Sequence, residues 1–156
     1  MRFLDRIDRA AIAGLLERDE YFWLDLIDPG EDEVATLAEV FSFHPLALED
    51  MVKRGQRPKL DDFGEYMFLV YYGVGGTDGG KVELEEVHAF LSGGYIVTSH
   101  ARKCTVLEEA RERFDAQAPS SEQFVIYRIL DGLTDSFFPI LERLDEVYRP
   151  ENVIEK

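Results

Sequence analysis

Residues 65–74 read EYMFLVYYGV, with apolar side chains on both sets of alternating positions instead of one. Successive side chains of a strand point to opposite faces of a sheet. A strand apolar on both faces must be covered on both, so this run predicts a strand in the middle of a sheet with helices on either side. That requirement selects the fold class. The chain should be a layered α/β/α sandwich around a mixed central sheet. With 156 residues it has the length of one domain, able to bury roughly two-thirds of its unfolded surface.

The other segments fit this frame. Residues 10–17, AAIAGLLE, predict a short helix, and the aromatic-rich 21–28, YFWLDLID, predict a strand stopped by Pro29-Gly30. Asp32 is positioned to cap a following helix, in which Val34, Leu37, Ala38 and Phe41 recur at helical spacing. Pro45 suits the first turn of the next helix, Gly55 a stop, and Arg57 ahead of Pro58 an extended conformation. GGTDGGK, residues 75–81, reads as a flexible turn into a second strand near 83–91. Gly93-Gly94 then make a hairpin into a last short strand.

The carboxyl-terminal third is helical in pattern. Val106, Leu107, Ala110 and Phe114 form one stripe, and after Pro119 the residues Ser120 and Gln123 have capping-box spacing. Tyr127, Leu130, Thr134, Phe137, Leu141, Leu144 and Tyr148 then alternate steps of three and four, a heptad seam suited to packing on another helix. Pro139 should kink or break it. The first half of the seam is expected on the domain's own sheet, and the part after Pro139 away from it. The expected organisation is one domain over 1–156, α/β to about residue 100 and helical over 101–156.

A net charge of −15 opposes binding to nucleic acid or an anionic membrane surface and favours attraction of cations. Cys104 is the sole cysteine, so no intramolecular disulfide can form and a reducing compartment is the natural one. Apolar runs fall far short of the ~20 residues that span a bilayer, and no secretory pattern opens the chain. His44, His88 and His100 lack metal-ligand spacing, and His44 before Pro45 suits a helix cap or a place in the core. No nucleophile elbow, phosphate loop or dinucleotide fingerprint occurs, so an enzyme is not expected.

Carboxylates remain. Glu49 and Asp50 stand near the carboxyl end of a short helix, where the dipole disfavours each by about 0.3–1 kcal/mol. Asp61 and Asp62 follow the Arg57-Pro58 turn, and Asp131 and Asp135 lie one helical turn apart on a shared face. Carboxylates ~4 Å apart repel by about 4 kcal/mol at an effective dielectric near 20. A hard divalent ion reverses that sign, and oxygen ligands suit magnesium or calcium. Lys53 and Arg54 offer the plainer alternative of ion pairs with Glu49 and Asp50.

HPLALEDMVKRGQRPKLDDFGEYMFLVYY, residues 44–72, resembles the cytoplasmic-domain signature of the CorA family of divalent-cation transporters. His44-Pro45-Leu46, Leu48-Glu49-Asp50 and Gln56-Arg57-Pro58-Lys59 are its specific pieces. WLDL upstream and YRILDGLTDSFFPILERLDE downstream resemble the same family, so the likeness runs from residue 21 to the carboxyl end. It implies a soluble domain cut before a stalk helix, unable to conduct ions alone, from a pentameric protein whose funnel sits at the cytoplasmic face of the membrane. The isolated chain would be a monomer or dimer. It further implies a weakly held regulatory Mg2+, with Co2+ or Ca2+ as alternatives, between neighbouring copies. Asp50 and Glu49 match the family's first pair of acids and Asp131 its helix acid, a further stalk acid lying outside this chain, while Asp135 has no such match. The implied role is a sensor that closes the pore when the ion is plentiful. A zinc transporter of related architecture stays open, as does a free-standing acidic interaction module without a transport role.

Overall fold

Two apolar cores, one on each face of a single sheet, organise the chain. The structure, a computed structural model, describes residues 1–78, 81–116 and 122–152. In chain order the elements are β1 (Arg2–Leu4), α1 (Arg9–Glu17), β2 (Phe22–Ile27), α2 (Glu31–Phe41), α3 (Pro45–Val52), β3 (Lys59–Asp62), β4 (Met67–Asp78), β5 (Lys81–Leu91) and β6 (Tyr95–His100). Then come α4 (Thr105–Ala116), α5 (Glu122–Asp135), α6 (Phe138–Val147) and a single 3-10 turn, Pro150–Asn152. The sheet order is β1-β2-β6-β5-β4-β3. β1, β2 and β6 run parallel, while β5, β4 and β3 continue antiparallel, so the sheet is mixed as expected.

Helices α1, α2 and α3 cover one face through Ile12, Leu15, Leu37, Ala47, Leu48 and Met51, packed on Phe22, Leu24, Phe68, Phe90 and Val97. Helices α4 and α5 cover the other through Leu107, Ala110, Val125, Ile129 and Leu133, packed on Trp23, Val87 and Ile96. The helical spacings of Val34-Leu37-Ala38-Phe41 and Val106-Leu107-Ala110-Phe114 therefore mark sheet-facing stripes. α1 starts at Asp8, whose carboxylate accepts from the Ala11 amide at 3.1 Å.

Several expectations change. β4 was expected in the middle of the sheet and lies one strand in from the edge, beside β3. Both its faces are covered all the same: Phe68 and Val70 enter the first core, Tyr71 packs on the second, and Gly73 meets Leu133. Helices broad enough to reach the margin make a central position unnecessary. β3 went unforeseen because KLDD is short and polar, and β1 because RFL is three residues long. Gly30, not Asp32, is the N-cap of α2. The Gly30 amide donates to Glu33 Oε1 at 3.2 Å, and Asp32 sits inside an acidic first turn favoured by the helix dipole. α3 ends at Val52, ahead of Gly55, which takes φ +80° in the following loop. His44 caps α3 as expected, its Nδ1 accepting from the Leu46 amide at 3.1 Å.

The heptad seam is broken, not kinked. α5 ends at Asp135 and α6 begins at Phe138 with Pro139 in its first turn. On α5 the sheet takes the stripe Val125, Ile129 and Leu133 instead of Tyr127, Leu130 and Thr134; Tyr127 is 60% exposed. The helix is apolar on two adjacent faces, and the one chosen sets Leu133 against the side-chain-free surface of Gly73. α6 buries no residue, so the part of the seam after Pro139 does leave the sheet. The turn expected over residues 75–81 is mostly strand, since 75–78 extend β4 and Lys81 opens β5; Gly79-Gly80 and the cap at Ser120 lie outside the described residues.

Candidate functional site

Asp50 sits on the last turn of α3 and is half-buried. Its Oδ2 lies 2.5 Å from Lys59 Nζ, which also reaches Asp61 Oδ2 at 2.8 Å. Pro58 holds the preceding residue extended, and the loop is tied to α3 by Gln56 Nε2, which donates to the Asp50 carbonyl at 2.5 Å and the Lys53 carbonyl at 3.0 Å. Lys59 opens β3 at the place where both acids can reach it. Hydrogen bonds to Asp50 and then Asp61 hold its ammonium above the ordinary lysine value. The cation that offsets the charge at the end of α3 is thus Lys59, and not Lys53 or Arg54. Glu49 is exposed beside it.

Asp131 is half-buried on α5. It lines a cleft of about 510 Å³ bounded by α4, α5 and the start of α6, together with Glu109, Arg113, Arg128 and Asp135. α3 covers one face of the sheet and α5 the other, so one copy does not bring Asp50 and Asp131 together. Among the described residues no group of three or more His, Cys, Asp or Glu side chains is arranged to hold a metal ion. Asp50, Glu49 and Asp61 therefore stand on one surface, and Asp131 lines a cleft on the other.

A second polar cluster was not anticipated. Trp23 Nε1 donates to Thr98 Oγ1 at 2.8 Å, and the Thr98 hydroxyl donates to Asp25 Oδ1 at 2.5 Å. His100 Nε2 lies 2.9 Å from the same carboxylate. A signal was available: Asp25 alternates with Trp23 on an otherwise apolar strand, so its carboxylate had to be buried with a partner. On the opposite face, Glu86 accepts from the Gly55 and Gln56 amides at 2.8 and 3.1 Å. Burial raises its carboxyl, but those two bonds together with the neighbouring His88 outweigh that and hold it below the usual carboxylate range. Burial pushes the neighbouring His88 ring below the ordinary imidazole value.

The family described as CorA-like Mg2+ transporter protein matches residues 18–149. The chain belongs to the CorA family. Members of this family are transporters and not enzymes. YfjQ of Bacillus subtilis is 31% identical over 146 residues, 92% of this CorA-family chain and 43% of that protein. The cobalt/magnesium transport protein CorA of Thermotoga maritima is 28% identical over 120 residues, covering 74% of this chain and 34% of its own. The chain spans less than half the length of either relative. Its fold matches the ZntB cytoplasmic domain from Vibrio parahaemolyticus with a TM-score of 0.69 at 14% identity, over 80% of this chain and 52% of that one. No described helix is long and apolar enough to cross a membrane.

Proposed function

We propose that this CorA-family domain senses intracellular Mg2+ at the seam between neighbouring copies and gates a divalent-cation pore at the cytoplasmic face of the membrane. The observation that carries the reading is the separation of Asp50 and Asp131 onto opposite faces of one sheet. In a ring of copies packed face to face, Asp50 and Glu49 of one copy meet Asp131 of the next. When bound there, a divalent ion supplies the positive charge that cancels the repulsion among these acids. Lys59 acts in its absence, holding Asp50 and Asp61 within the copy. Asp50 must leave Lys59 to reach across the seam, which weakens the site. A set of so few carboxylates should fill only near ~10⁻³ M, in the range of weak oxygen-ligand sites, and that suits feedback. An ion preferring the closed state shifts the population toward it by its differential affinity.

The test uses the full-length transporter, with Mg2+-dependent protection from protease as the measure of closure. Asp50→Ala and Asp131→Ala should each move the midpoint to higher Mg2+, and Lys59→Met should move it lower by freeing Asp50. Unchanged closure in both alanine variants removes these acids from the sensor.

A further inference from the structure

His100 closes β6 and is 1% exposed, yet both nitrogens of its ring face acceptors. Nε2 lies 2.9 and 3.0 Å from the two Asp25 oxygens, and Nδ1 lies 2.5 Å from the Arg102 carbonyl oxygen. A neutral imidazole has one N–H and one lone pair and can serve only one of these. The surrounding bonds leave Asp25 as an acceptor. Trp23 Nε1 can only donate, so Thr98 Oγ1 accepts from it and turns its own hydrogen toward Asp25. Two acceptors therefore require two N–H groups, which is the imidazolium.

The charges around the ring support the same state. Asp25 comes from β2; Glu85, buried on β5, bonds Arg102 Nε at 3.2 Å. Asp5, Glu33, Lys103, Glu108 and Arg111 share the rim of the adjoining cleft, along with the Cys104 thiol. Lys103 is engaged by Glu108 at 3.1 Å and Arg111 lies 3.9 Å over the Phe3 ring. Burial alone would lower the ring's pKa; Asp25 outweighs it, with smaller help from the Arg102 carbonyl and Glu85, and the value is raised. The cleft, about 310 Å³ and lined in part by Asp25 and His100, gives water a route to the pair.

The position of the contact gives it a consequence. Arg102 belongs to the short connection between β6 and α4, and two residues later the Cys104 carbonyl accepts the Glu108 amide as α4 begins. We propose that His100 is a proton-operated latch on α4: protonated, it ties residues 101–104 to β2, and on losing its proton it lets the first turn of α4 open. Through Val106, Glu109 and Arg113 the same helix forms a wall of the Asp131 cleft. The latch goes beyond the metal reading and stands whether or not that cleft takes a cation.

The experiment needs no metal. The 156-residue chain, isotope-labelled at histidine, is titrated by NMR between about pH 5 and about pH 9. Hydrogen exchange at the amides of residues 108–111, corrected for its intrinsic pH dependence, is followed in parallel. The His100 ring should keep its proton above the free imidazole value. Amide protection should fall as pH rises from about 6.5 to the ring's own midpoint and level off above it, about tenfold for each unit between the two. Asp25→Asn should lower the ring's midpoint and shrink the fall in protection with it, while His100→Gln should leave protection independent of pH in this range. A His100 ring that is neutral below about pH 6.5, or α4 protection that stays flat across the ring's titration, overturns the latch. Should Asp25→Asn fail to fold, the wild-type profile decides: a fall in protection that begins at about pH 6.5 and ends at the ring's midpoint supports the latch, and one that runs on past that midpoint overturns it.

Discussion

Gly75 offers the sharpest test of the packing described above. It sits at the irregularity between Val74 and Gly76 where β4 pairs with β5, directly over the Glu85 side chain. A Cβ at this position would lie 2.2 Å from Glu85 Oε1, 2.5 Å from Cγ and 2.7 Å from Cδ. Swinging the carboxylate aside cannot relieve this, because Cγ itself is in the way. The side chain must leave its place or β4 must shift. Glu85 is 6% exposed and its Oε1 holds Arg102 Nε at 3.2 Å, so leaving breaks that pair as well. Gly75 does not have a positive φ, so the cost comes from contact and not from backbone strain. Overpacking of this kind costs about 1–3 kcal/mol, and at about 2–4 °C per kcal/mol for a chain this size the melting temperature should fall by about 2–12 °C. Urea unfolding followed by the fluorescence of Trp23, the single and fully buried tryptophan, gives the free energy. Glu85→Ala removes Cγ and everything beyond it. In a double-mutant cycle Gly75→Ala should then be better tolerated by at least about 1 kcal/mol. A Gly75→Ala protein as stable as wild type, or an additive cycle, refutes the reasoning.

Two further outcomes follow from the packing and the buried rings. Leu133→Ala, at a position 1% exposed, should cost about 2–5 kcal/mol, whereas Tyr127→Ala on the exposed stripe should change stability by no more than about 0.5 kcal/mol; comparable losses would mean that α5 faces the sheet the other way. Because burial depresses the folded pKa of His88, its contribution to stability is present above about pH 6.5 and is lost as pH falls through the lower folded value. His88→Gln should remove that acid-side loss in chemical denaturation at stepped pH, and an unchanged slope would contradict the depressed value.

The spacing of apolar residues carried the layers well, because stripes such as Leu107-Ala110 and the two-faced run of β4 leave few ways to hide. Where two faces of a helix were equally apolar, as on α5, spacing could not decide between them. That choice depends on the bare surface of Gly73, more than fifty residues earlier in the chain. The same limit applied at the acids. Glu49 and Asp50 were visible as misplaced charge at a helix end, but their cation came from Lys59 across a loop instead of from Lys53 or Arg54 within reach of the helix. The Asp25–His100 pair bridges two strands that adjoin only once the sheet exists. No local pattern encodes that neighbourhood.

The parallel pairing of β2 with β6 also sets a timetable for assembly. Asp25 and Thr98, opposite one another in the sheet, are separated by 73 residues, while β4 and β5 are joined by a short connection. During synthesis at about 5–20 residues per second, the edge of β2 has no partner on that side for about 4–15 s. The β4–β5 hairpin can close early, and the slow step is the capture of the waiting amino-terminal strands by β6. The nascent chain is most vulnerable to mispairing in that interval, along the strand that carries its tryptophan.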